Sequence, residues 1–95
     1  MALDFTDYEG VPEHTRGALE RYVEHKFLPG GFLIAVLSND LMGAVSRADA
    51  ANIVALREIC QFIYNRMPSN SWGSEQKIYN FIEEKFYERL DNKAE

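Results

Sequence analysis

The stretch Pro29-Gly30-Gly31-Phe32-Leu33-Ile34-Ala35-Val36-Leu37-Ser38-Asn39-Asp40-Leu41-Met42-Gly43-Ala44-Val45 is the most apolar segment of the chain, and its reading decides the fold. Phe32 to Leu37 is apolar without relief, so a helix here has no wet face and must be surrounded by protein. A central strand is the alternative, because periodicity alone does not type so short a run. The helix reading is preferred, since the pattern resumes at Leu41, Met42, Ala44 and Val45 and no partner strand is evident elsewhere. On such a helix Asp40 shares a face with Val36, Leu37, Leu41 and Ala44. A buried carboxylate needs partners. Asn39 and Asp40 are therefore expected to be structural polar residues that fasten neighbouring loops. Asp40 would accept backbone N–H groups around Ser71 to Ser74, or pair with an arginine; a catalytic or ligand-binding carboxylate is the other reading.

Working outward, Pro12 and Glu13 suit a helix start, and Ala18, Leu19, Tyr22, Val23 and Phe27 recur at helical spacing. Pro29 ends that helix and Gly30-Gly31 turns the chain. Beyond the central segment, Asp49 caps a helix reading Ala50 to Met67, with Ile53, Leu56, Ile59, Cys60, Ile63 and Met67 as its buried stripe, broadened by Val54 and Phe62. Pro68 to Ser71 is a loop. Ser74 caps a last helix from Glu75 to Leu90 that buries Ile78, Phe81, Ile82, Phe86 or Tyr79, and Leu90. The expected fold is all-α: a compact four-helix domain over residues 12–90 with a largely buried second helix. An acidic N-terminal arm (1–11) precedes it, with Leu3, Phe5 and Tyr8 as anchors to the body or to a neighbouring subunit, and a polar tail (91–95) follows.

The chain has 95 residues, 46% apolar and 26% charged, which suits one folded domain rather than a disordered segment. A net charge of −5 opposes direct nucleic-acid binding, which works through a basic surface. No apolar run approaches the ~20 residues that span a bilayer, and no leader pattern opens the chain, so the expected location is a cytoplasm, without a membrane. Cys60 stands alone in an apolar run and is read as a buried, inert thiol. His14 and His25 are too far apart for one helical metal site, and no phosphate-loop, dinucleotide or zinc-protease motif occurs. No enzyme, metal or cofactor is expected.

Binding is the reading that remains. Gly30-Gly31 and Trp72-Gly73-Ser74 each precede a helix start, where free N–H groups favour anions. Lys26 and Arg66 lie just before these two loops, and Phe32 or Trp72 offers a ring for stacking. The tentative binding set is thus Lys26, Gly30, Gly31, Phe32, Arg66, Trp72, Gly73 and Ser74. Simple turning and capping by the glycines, and a core position for Trp72, explain the same residues without a ligand. Six Phe, five Tyr and one Trp on a small acidic domain favour contact with protein.

Glu13-His14-Thr15, Ala18-Leu19 and Arg21-Tyr22-Val23-Glu24-His25 resemble the opening of a small protein family common in bacteriophages and prophages. Pro29-Gly30-Gly31-Phe32-Leu33, Ala35-Val36-Leu37 and Asn39-Asp40-Leu41 are similar to its most distinctive segment. Arg47-Ala48-Asp49, Asn52, Tyr64-Asn65, Pro68 and Trp72-Gly73-Ser74 resemble its later pattern. The chain departs from that pattern at Lys26 and Leu28, where a glycine and a second proline usually stand. The resemblance implies a phage context and no reaction. The leading expectation is a small non-enzymatic accessory protein that binds and inhibits a host protein, such as a defence or nucleic-acid-processing factor, in the host cytoplasm. The alternatives are a sponge for a phosphate-bearing signal nucleotide and a homo-oligomeric assembly protein.

Overall fold

A computed structural model describes the backbone of residues 3–94 and the side chains of residues 3–84. Every regular element in it is helical. In chain order these are α1 (Glu13–His25), α2 (Gly31–Leu37), α3 (Leu41–Arg47), α4 (Ala50–Val54), α5 (Leu56–Arg66), a 3₁₀ turn (Ser69–Ser71) and α6 (Glu75–Ala94). The all-α expectation stands; the continuous second helix does not. It breaks between Leu37 and Leu41 because Asn39 adopts a left-handed φ of 65°. Leu33 and Leu37 on one side of α2, and Ala35 on another, are buried, whereas α3 buries Ala44 and exposes Leu41, Met42 and Val45. The expected third helix is likewise stepped, with Ala55 (φ −93°, ψ 6°) between α4 and α5. Ile53 and Val54, assigned to its buried stripe, are exposed, as is Phe27 beyond the end of α1.

Leu19 and Tyr22 of α1, Leu33 and Leu37 of α2, Ile59, Phe62 and Ile63 of α5, and Ile78 and Phe81 of α6 make one core. The N-terminal arm closes it from the side. Phe5 stacks on Phe62 with ring centroids 4.1 Å apart, and Tyr8 meets Phe62 edge-on at 5.4 Å. Arg66 reaches the arm's acids, with Nη1 3.6 Å from Asp4 and Nη2 3.8 Å from Asp7. Arg16 donates to the carbonyls of Val11 (2.8 Å) and Glu9 (2.6 Å), and the Gly10 N–H donates to Glu58 at 2.7 Å. The arm is thus pinned to its own body, one of the two anchorages its apolar residues allow.

The caps follow local chemistry. Asp49 accepts from the Asn52 N–H at 2.8 Å, and Ser74 from the Lys77 N–H at 3.2 Å, at the two expected starts. Asp40 caps α3 by accepting from the Gly43 N–H at 3.0 Å, and it is exposed. Its expected position on buried apolar ground is corrected: once α2 ends, Asp40 becomes the N-cap of the next helix instead of a mid-helix acid. The helix α6 runs past the expected stop at Leu90, to Ala94. The expected burial of Phe86 and Leu90 lies outside the described side chains.

Candidate interaction groove

The α2–α3 break has a structural consequence: it folds α3 back against α2 and leaves a groove between this hairpin and α5. One hollow, about 120 Å³, is walled by Ala35 and Val36, by Leu41 and Ala44, and by Leu56 and Cys60. A second, about 240 Å³, adjoins it across Val36, Asn39 and Cys60 and ends on Ile63, Tyr64 and Trp72. The walls are apolar apart from Asn39 and Asp40. At the edges Tyr64 is 72% exposed and Leu41 65%, and Met42, next to Leu41, is 80% exposed. Tyr64 and Trp72 meet at 5.7 Å with tilted rings. The Trp72 Nε1–H is buried without an acceptor among the described residues.

Asn39 fixes the far end. Its Nδ2 donates to the Gly73 carbonyl at 2.9 Å, and the Gly73 N–H donates to the Leu37 carbonyl at 2.7 Å. The turn carrying Trp72 is therefore tied to the end of α2, and Gly73 accommodates it with φ 126°. Cys60, expected to be buried, is exposed on the α5 wall. Desolvation by that wall raises its pKa above the ordinary thiol value, which disfavours the thiolate needed of a nucleophile. Among the described residues no group of three or more His, Cys, Asp or Glu is placed to hold a metal ion. The groove offers apolar contact area, with a few polar atoms for register.

No family model, no curated protein and no solved structure matches this chain. The site is therefore read from its own residues.

The tentative binding residues separate into different places. Gly30, Gly31 and Phe32 line a cleft of about 210 Å³ with Thr15 and Asn52, away from the groove. Trp72 borders the groove, and Gly73 and Ser74 serve its turn and the start of α6. Arg66 is occupied by Asp4, Asp7 and the Tyr8 ring, whose centroid lies 5.1 Å from its guanidinium carbon. The Lys26 ammonium sits 3.2 Å from the centre of the Phe81 ring. Neither cation lines a cleft with the glycines or with Trp72.

Sequence reasoning passed over Leu41, Met42, Cys60 and Tyr64 as groove residues, because a continuous helix would have turned the first two into the core. The usable signal was the Asn39-Asp40 pair itself, which combines a residue tolerant of left-handed φ with a good helix cap. His14 joins α1 to the cap of α4, its Nε2 lying 3.0 Å from Asp49. The Asn52 N–H bond, and secondarily His14, hold the Asp49 carboxyl below its ordinary pKa. Among the described residues no helix is long and apolar enough to cross a membrane.

Proposed function

We propose that this protein works by binding rather than by catalysis, and that its groove receives a short apolar helix of a host protein and so blocks that protein. The observation that carries this reading is the groove between the α2–α3 hairpin and α5, flanked by exposed Leu41, Met42 and Tyr64. Small proteins seldom leave adjoining apolar side chains open unless something covers them. Leu56, Cys60 and Ile63 or Tyr64 mark out about two turns of α5, roughly 12 Å. That length suits a partner helix presenting anchors three and four residues apart. A net charge of −5, with Asp40 at the groove, favours a partner segment whose wet face is basic. The host setting comes from the resemblance of the Pro29–Leu41 segment to the phage family. Nucleotide capture has no comparable support, since Lys26 and Arg66 already face Phe81 and the N-terminal arm.

The test is site-specific photo-cross-linking in host cells, with a benzophenone side chain at position 64 and, as control, at exposed position 21. A discrete host protein captured from position 64, absent from position 21 and reduced at least tenfold by Met42→Glu with an unchanged Tm, is expected. Equal capture from both positions, or indifference to Met42→Glu, would overturn the reading. Cross-linking only to a second copy would favour the assembly protein instead.

A further inference from the structure

Resting on the reading of the groove as a helix site, we infer that the bound helix has one direction: its first turn lies over Asp40 and its last turn over Trp72, parallel to α5. The two ends of the groove differ in what they offer. One end holds Asp40 with Ala35, Leu41, Ala44 and Leu56; the other holds Ile63, Tyr64 and Trp72. Val36, Asn39 and Cys60 border both hollows and so lie between. Trp72 carries the inference. Among the described residues its Nε1–H is the buried side-chain donor left without a partner. Covered donors ordinarily have partners, so an acceptor from outside the chain is implied. The ring beside it, Tyr64, is 72% exposed and has solvent to turn into, and that turn is the movement that admits an acceptor.

A helix offers spare acceptors at one end alone, since only its last four carbonyls lack partners within the helix. Its first four N–H groups are the spare donors, and with the helix dipole they favour a carboxylate. Asp40 supplies one at the opposite end of the groove. Its Oδ1 accepts from the Gly43 N–H, and the side chain is otherwise open to solvent. Arg47 borders a separate hollow beside Asp40, where Glu75 offsets it, and is not a wall of the groove. The reversed helix would set carbonyls against the carboxylate and N–H groups against an N–H. Both favourable contacts require both helix ends to lie in the groove, so the occupant is short, about eight to ten residues.

The probe is a stapled helix of about ten residues, N-acetylated and ending in an N-methylamide. Leucines three and four residues apart fill one face and lysines the other. It is titrated into the ¹³C,¹⁵N-labelled full chain to about 1 mM. Trp72 is the chain's one tryptophan, so its indole N–H gives a single resonance. That resonance is expected to move downfield saturably. Isotope-filtered NOEs should join the acetyl methyl to Leu41 and Ala44, and the N-methylamide methyl to Tyr64 and Trp72. Asp40→Asn, which keeps a helix cap and removes the charge, should weaken binding about threefold. The reversed NOE pattern, a Trp72 N–H that stays put while the groove residues shift, or an unchanged affinity in Asp40→Asn overturns the direction and leaves the helix site standing. No shift of any groove residue overturns the helix site and the direction with it.

Discussion

Asn39 combines a left-handed backbone with a side-chain bond to the Trp72 turn, and few residue types supply both. Alanine there loses the bond and meets the left-handed strain, together about 2 kcal/mol of stability; glycine loses only the bond, about 1 kcal/mol. Urea unfolding of Asn39→Ala and Asn39→Gly should show that order. Tyr22 is the other residue with a defined signature. Its side chain is fully buried, its hydroxyl donates to the Ser71 carbonyl at 2.7 Å, and desolvation raises its pKa well above the ordinary phenol value. The folded state therefore holds the neutral phenol while the unfolded chain ionises near pH 10. Its stabilising contribution is complete below that pH and is lost as pH rises further, by about 1.4 kcal/mol per unit until the folded group titrates. Tyr22→Phe should be about 1 kcal/mol less stable at pH 7 and should lose this part of the alkaline dependence, as measured by denaturation between pH 8 and 11. A role for Asn39 in fastening a loop was legible in the sequence. The place of Asp40 was not, because it depends on whether the helix continues through Ser38, and one dihedral angle at Asn39 decides that.

At the scale of elements, amphipathic spacing located α1, the α5 part of the expected third helix and the start of α6, since each lays core residues such as Leu19 and Tyr22, Ile59, Phe62 and Ile63, or Ile78 and Phe81 on the common core. It failed where an element is too short to have a period. Seven-residue α3 and five-residue α4 carry apolar side chains that only tertiary placement could assign to core or surface. The arm shows which force holds an element that has no regular structure. Phe5 is 9% exposed and stacked on Phe62, so Phe5→Ala should cost about 3 kcal/mol. The Asp4 and Asp7 contacts to Arg66 lie at the surface, so Arg66→Ala should cost less than about 1 kcal/mol. Thermal melts of the two variants in low and high salt check both. Added salt should hardly move the wild-type Tm if burial holds the arm.

For the whole molecule, folding and the proposed binding role make opposite demands on apolar residues, and under that proposal the groove is where they part. A chain of 95 residues has a modest core and gains most by covering every large side chain. Leu41, Met42 and Tyr64 are nevertheless left open beside a groove whose floor is apolar. If these side chains served the fold, replacing them with lysine would be destabilising. If they serve contact, the replacement should leave stability within about 0.5 kcal/mol, as for surface sites in general. It should also remove a surface that an apolar dye can report. Met42→Lys and Tyr64→Lys are therefore expected to keep the wild-type unfolding midpoint while the double variant loses about half of the native protein's ANS fluorescence. A loss of more than about 2 kcal/mol in either single variant would make the side chain part of the fold. Undiminished dye binding would mean that the exposed apolar surface lies elsewhere, for instance at Val54, which is 87% exposed on α4.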